Sequence, residues 1–223
     1  MRWEVYGPPT YTITPAAGAN GSIVPGTPVT LDAGQSTSFV VSAATTNFYI
    51  ASLTTNGGEV WGVAGLYTYT SWWNDVQADG ALTAAFASVA GDTATNGTSV
   101  PWLRQYYTNA ANLEALKALA KEDTDGDGMD TWKKYWSRTD PTDSNKFLHF
   151  TAIQGASDST GSVVYWTSET DVVYRLTRST NLVTDPFMTI VSSNILATPP
   201  TNSATDEMAI SNAVLYYRIG VER

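Results

Sequence analysis

The sequence predicts a mainly β protein, built as two small β-modules joined by a short helical segment that carries an acidic loop. Three observations predict it. Aromatic and β-branched residues dominate a hydrophobic content of 43%, while charged residues make up only 15%, a mixture suited to pleated, half-buried strands. Short alternating runs punctuated by Gly, Asn, Asp and Pro fill both ends of the chain. Between them the hydrophobic period becomes helical around seven acids (Glu122, Asp123, Asp125, Asp127, Asp130, Asp140, Asp143) crowded into residues 122–143.

Residues 1–9 read as an arm. Arg2-Trp3-Glu4-Val5-Tyr6 alternates and is followed by Pro8-Pro9, so it is expected to leave its own module and add a strand to a neighbouring chain. Residues 10–89 read as the first β-module. Its expected strands are Tyr11 to Thr14, Ser22 to Val24, Val29 to Leu31, Ser38 to Val41, Phe48 to Leu53, Leu66 to Thr70 and Leu82 to Phe86. Asn56-Gly57 and Asp79-Gly80 mark turns because these residues tolerate positive φ.

The run "YTITPAAGANGSIVPGTPVTLDAGQSTSFVVSA", with Ile50-Ala-Ser-Leu-Thr-Thr-Asn-Gly57 and the closing Ala78-Asp-Gly-Ala-Leu-Thr-Ala-Ala-Phe86, resembles the internalin-B-type B-repeat of bacterial surface proteins. The resemblance implies a β-grasp-like spacer or adhesion module without catalysis.

Residues 90–146 read as a linker followed by a helical segment. Ala90 to Ser99 is rich in Gly, Asp, Thr, Asn and Ser. Pro101 suits the first turn of a short helix, and Leu113, Leu116 and Ala120 recur at helical spacing behind Asn112, a good N-cap. Trp132, Tyr135 and Trp136 predict another helix with one aromatic face.

Between these helices lies Asp123-Thr-Asp125-Gly-Asp127-Gly128-Met129, the first half of a calcium loop. Side-chain oxygens at positions 1, 3 and 5 converge on a hard cation, Gly128 permits the sharp turn at position 6, and Met129 offers its carbonyl at position 7. Position 12, the place of a bidentate carboxylate in such loops, is Lys134. The expected compensation is a second carboxylate from Asp130, Asp143 or Glu122, or water, giving a weak site suited to extracellular calcium. The expected metal set is Asp123, Asp125, Asp127, Met129, Asp130 and Asp143.

The fuller stretch "EDTDGDGMDTWKKYWSRTDPTDSNK" resembles the calcium repeats of thrombospondin type 3 and dockerin-like surface modules, departing from them at Lys134 and at Arg138, where a Gly is usual before Thr-Asp-Pro. The expected role of calcium is to fold residues 112–145 into a rigid joint.

Residues 147–223 return to strands, expected at Leu148 to Ile153, Ser162 to Trp166, Val172 to Arg178, Phe187 to Val191 and Val214 to Val221. Thr184-Asp-Pro186 and Thr198-Pro-Pro-Thr-Asn202 read as loops. So many short strands in so short a stretch predict a β-sandwich of fibronectin-like or immunoglobulin-like type.

Catalytic patterns are sparse. There is no cysteine and one histidine, His149, in the alternating run "FLHFTAI", where a strand side chain is the simpler reading. No Gly-x-Ser-x-Gly elbow, His-Glu-x-x-His helix or phosphate-binding Gly-rich loop occurs, and the glutamates are scattered over modules too small to enclose a cleft. The net charge of −9 argues against nucleic acid or an anionic membrane as partner. No run approaches the roughly 18 apolar residues of a membrane span, and no apolar signal core follows Met1-Arg2-Trp3-Glu4, so an exported chain is expected to have lost its signal. Trp61, Tyr67, Tyr69, Trp72 and Trp73 suit a sugar-stacking platform or, more simply, core packing.

Together these features predict a non-enzymatic extracellular or cell-surface protein of structural or adhesive type. Self-assembly through strand edges and the arm, as a filament or surface-layer subunit, is the leading expectation. A polysaccharide-binding appendage of a larger secreted protein is the second, and an inert spacer the third.

Overall fold

The computed structural model describes residues 7–155, 161–209 and 214–222. It is mainly β, with 45% strand and 13% helix. The arm at Arg2 to Tyr6 lies outside the described residues. The chain divides into two compact units, Met1–Ala118 and Leu119–Arg223, and the division falls inside the stretch 90–146 that the sequence suggests is a linker plus helical segment.

In the first unit each alternating run forms a strand: β1 (Thr10–Ala17), β2 (Gly21–Val24), β3 (Val29–Asp32), β4 (Thr37–Ala43), β5 (Phe48–Thr55), β7 (Thr68–Trp73) and β8 (Gly80–Ser88). The sequence gives no signal for the two-residue β6 (Gly58–Glu59). One sheet has the order β3-β1-β8-β5-β6 and the other β2-β4-β7. All pairs are antiparallel except β1 with β8, where Ile13 stands opposite Gly80.

Ile13, Ile23, Phe39, Val41, Ile50, Leu53, Leu82 and Ala84 from both sheets share one core, by the period of two on β4 and β8 and on β5 across a register shift between Ile50 and Ser52 that turns both Ile50 and Leu53 inward. Burying each of the larger side chains contributes about 1.5–3 kcal/mol. Gly21 is required by close approach, since a Cβ there would run into the Phe86 ring.

The helices α1 (Val100–Tyr106) and α2 (Leu113–Ala118) belong to this unit. Ser99 caps α1 by accepting from the Trp102 N–H at 3.3 Å, and Pro101 sits in its first turn. Asn112 caps the start of α2, its Oδ1 accepting from the Ala115 N–H at 2.8 Å. Leu113 donates its N–H to the Gly65 carbonyl at 2.9 Å, which fastens α2 to the β-module.

The second unit begins with a 3₁₀ turn at Leu119–Lys121 and α3 (Thr131–Ser137). Its strands are β9 (Phe150–Gly155), β10 (Ser162–Thr167), β11 (Val173–Ser179), β12 (Thr189–Leu196), β13 (Thr201–Asp206) and β14 (Tyr216–Val221). They form two sheets of order β13-β10-β9 and β12-β11-β14. Val164, Trp166, Tyr174 and Leu176 form a core to which all six strands contribute side chains.

Two readings change here. Thr201 and Asn202, expected in a loop, open β13, whose inward positions are Asn202, Ala204 and Asp206 rather than large apolar residues. His149, expected on a strand, lies just before β9. It stacks on Phe147 at 4.4 Å between ring centroids, its Nδ1 lying 2.9 Å from that residue's carbonyl oxygen.

Candidate cation site

The acidic loop is closed at its base by Glu122, whose carbonyl accepts from the Thr131 N–H at 2.8 Å and from the Thr131 hydroxyl at 3.0 Å. The chain must then turn sharply, and it does so with Gly126 at φ +79° and Gly128 at φ +92°, a region L side chains rarely adopt. Asp123 organises the turn from within. Its carboxylate accepts from the backbone N–H groups of Gly126 (2.9 Å), Asp127 (3.2 Å) and Gly128 (2.8 Å). The Gly128 N–H foremost among these donors holds the Asp123 carboxyl below its ordinary range, with partial solvent loss opposing. Thr124 ties the loop outward by donating to the Pro141 carbonyl at 2.8 Å.

Asp123, Asp125 and Asp127 bring their oxygens within 4.8 Å of one another. Such a cluster needs a positive charge, and the charge set against it is the ammonium of Lys134. Lys134 Nζ donates to Asp125 Oδ2 and stands 2.6 Å from Asp127 Oδ2. It also faces the carbonyl oxygens of Asp140 (3.4 Å) and Asp143 (3.3 Å). The lysine side chain is 0% exposed, and those of Asp125 and Asp127 are 5% and 3% exposed. Burial on its own would push the lysine down, but the hydrogen bonds and charges of Asp125 and Asp127 outweigh it and hold the group above the ordinary lysine value. Two acceptors of the triad, Asp125 Oδ1 and Asp127 Oδ2, are buried with no hydrogen-bond partner among the described residues, the second held only by its ion pair with Lys134.

The structure therefore brings together three of the six expected ligands. Met129 donates its N–H to Asp127 Oδ1 at 2.7 Å. Asp130 directs its carboxylate away from the triad, accepting from Trp132 Nε1 and lying 3.0 Å from Lys133 Nζ. Asp143 uses its carboxylate on the N–H and side-chain amide of Asn145 and turns only its carbonyl toward Lys134. Asp140 similarly binds Thr142 through its carboxylate.

Lys134 reaches the triad because α3 presents Thr131, Lys134 and Ser137 inward at intervals of three residues. The expected aromatic face is different: Trp132, Tyr135 and Trp136 are only half-buried. The i, i+3, i+6 spacing places Thr131, Lys134 and Ser137 on one helix face, but three polar residues give no sign that this face is the buried one. The helix ends at Arg138, which takes φ +58° in the left-handed region. The Gly usual there in the resembling repeats has no Cβ to penalise that conformation.

A second buried polar cluster carries no sequence signature. Asp206, at the end of β13, receives Arg178 Nη1 at 2.7 and 2.8 Å on its two oxygens, the Tyr217 hydroxyl at 3.0 Å and the Met208 N–H at 3.2 Å. It pins the sheet containing β13 to the one containing β11 and β14. Burial first, then the Asp206 carboxylate, push the Tyr217 phenol up to about 12.

The five aromatics of the first module do not share one surface. Tyr69 and Trp73 pack against the core and Tyr67 lies under Arg104, its ring centroid 4.6 Å from the guanidinium carbon. Trp61 and Trp72 are 84% and 68% exposed. Comparison of the chain with models of known families, with curated proteins and with solved structures found no match to any of them.

Proposed function

We propose that this chain is a non-enzymatic structural or adhesive protein of the cell exterior that associates with its own copies through strand edges. The observation that carries the reading is where the buried charges go. Among the described residues the charged residues buried as a whole are Arg104, Lys134 and Asp206, with the carboxylates of Asp125 and Asp127 buried around the second, and each braces the fold. Arg104 stacks on Tyr67 and donates to the Tyr107 and Thr108 carbonyls, Lys134 neutralises the acidic loop, and Asp206 clamps two sheets.

Two further features support association. Strands β12 and β13 each end a sheet among the described residues, and an open cleft lined by Ile190, Ile195, Ala204 and Met208 lies alongside them. Met188, Ile190, Leu196 and Met208 are exposed, and an apolar strand edge left open is a template for another strand. The alternating arm at Arg2 to Tyr6 is the proposed donor. The likeness of the first module to B-repeats, with their β-grasp-like fold, and of residues 147–223 to fibronectin-like sandwiches supports a surface location.

Sedimentation and electron microscopy of the purified chain test this directly. Polymers that disappear on deleting residues 1–9 are expected; a monomer at all concentrations rejects self-assembly. A second reading, a polysaccharide-binding appendage, is favoured by the exposed Trp61 and Trp72. Retention on insoluble polysaccharide, lost in Trp61→Ala and Trp72→Ala, would select it.

A further inference from the structure

The acidic loop has the donor pattern of a calcium site, yet the residue at its twelfth position is a cation already seated among those donors. Around Lys134 Nζ stand Asp125 Oδ2, Asp127 Oδ2 at 2.6 Å, and the carbonyls of Asp140 and Asp143. These are carboxylate and carbonyl oxygens, the ligand chemistry a hard divalent ion selects. They come from the loop and from the segment after α3, so the ammonium joins the same two stretches that a metal would join.

We infer that Lys134 is a built-in substitute for calcium: residues 123–134 fold around their own ammonium, need no divalent ion, and would become a calcium site if this one residue were a carboxylate.

Charge supports the substitution. Three aspartates and a lysine leave the loop with two negative charges in excess, the same excess that three aspartates, a glutamate and a calcium ion would leave. Exchanging the carboxylate and the metal together for a lysine thus keeps the electrostatic balance, whereas either change alone would upset it. Geometry supports it as well. Calcium needs six to eight oxygens at about 2.3–2.6 Å, but Asp130 and the Asp143 carboxylate are engaged elsewhere. Any ion binding both Asp125 and Asp127 would also stand against the fully buried ammonium. With Lys134 in place the residues present do not fit a calcium ion. Asp125 Oδ1 and Asp127 Oδ2, both buried without a hydrogen bond among the described residues, mark where the three donors of the ammonium fail to satisfy all that a larger coordination shell would.

The inference is independent of whether the chain assembles, because it concerns the interior of one loop. The test uses the full chain, with wild type, Lys134→Glu and Lys134→Gln compared by calorimetric titration with calcium chloride and by thermal melting in calcium or in chelator. Wild type is expected to show no saturable heat and an unmoved melting temperature at millimolar calcium. Lys134→Glu is expected to melt lower in chelator, to recover with calcium and to titrate as one site; Lys134→Gln should do the same more weakly. Terbium luminescence sensitised by the neighbouring tryptophans should saturate for Lys134→Glu and not for wild type. Saturable calcium uptake by wild type with a rise in melting temperature would overturn the inference while leaving the structural reading intact. So would a Lys134→Glu chain that melts identically with and without calcium, or that fails to fold at every calcium concentration.

Discussion

The second unit buries two ion pairs, and they are built on opposite plans. At Asp206 one carboxylate is surrounded: Arg178 reaches both oxygens, Tyr217 adds a donor to one and Met208 a backbone N–H to the other. At Lys134 one ammonium is shared by two buried carboxylates and two carbonyls, and Asp125 Oδ1 and Asp127 Oδ2 are left without a hydrogen bond among the described residues. The first cluster is saturated with donors and the second with acceptors. A buried charge is tolerated only when paired and hydrogen-bonded, so the saturated carboxylate can lose a partner and keep others, whereas the two loop aspartates depend on one cation. The difference separates a permanent clamp from a site whose occupant defines it.

The largest expected effect breaks the comparison at its weak side. Lys134→Met keeps the apolar stem and removes the charge, stranding Asp125 and Asp127, and is expected to cost about 3–5 kcal/mol in chelator, the range for breaking a buried pair. Arg178→Met leaves Asp206 with the Tyr217 and Met208 donors, and its arginine is already 17% exposed, so the expected loss is toward the lower end, about 3 kcal/mol. Chemical denaturation checks both. Adding Asp125→Asn to Lys134→Met should recover part of the stability by removing a stranded charge. The reverse order, Arg178→Met costing clearly more, would mean that the loop tolerates unpaired acids and that its lysine is incidental.

A smaller effect distinguishes the two sites by pH. Folding holds the Tyr217 proton from 10.0 up to about 12 and holds Lys134 above its ordinary 10.5. In both cases the unfolded chain releases its proton first, so each contribution is complete below the unfolded value and is lost as pH rises through the folded one. Stability should therefore fall above pH 10. Tyr217→Phe should make the fall between pH 10 and about 12 shallower and leave the share that belongs to Lys134, which begins above 10.5. Identical alkaline curves for the two chains would remove Tyr217 from the clamp.

The same contrast explains what the sequence made legible. Strands with apolar inward positions at every second residue, such as Phe39 and Val41 on β4 or Leu82 and Ala84 on β8, announce themselves by alternation. β13 does not, because its inward row of Asn202, Ala204 and Asp206 reads as a polar loop until Arg178 and Tyr217, both distant in sequence, are placed beside it. The acidic loop is legible from local spacing, since the aspartates and glycines act through bonds only a few residues long. Its occupant is less so. Lys134 reads as a missing ligand when positions are matched against a calcium loop, and as a counter-ion only when the inward row Thr131, Lys134 and Ser137 is read along α3. The carboxylates of Asp130 and Asp143 are diverted by Trp132, Lys133 and Asn145, contacts that charge counting does not reveal.

The smallest expected effect concerns the backbone beneath the lysine and sharpens the comparison from outside the charges. Arg138 ends α3 at φ +58°, with its N–H directed to the Lys134 and Tyr135 carbonyls, and Thr139 donates to the Lys134 carbonyl at 3.0 Å. Left-handed backbone costs an L-residue roughly 1–2 kcal/mol, which Arg138→Gly relieves, while the freer unfolded glycine returns about 0.5–1 kcal/mol of it. The side chain lost makes one exposed pair with Asp171 at 3.4 Å, the two partners being 56% and 78% exposed, and such pairs contribute about 0–1 kcal/mol. Arg138→Gly should therefore change stability by no more than about 1 kcal/mol in either direction, with every backbone bond at the helix end retained. A larger loss on denaturation would show that the exposed arginine matters to this loop as the buried lysine does, and the division between occupant and surroundings would have to be redrawn around both.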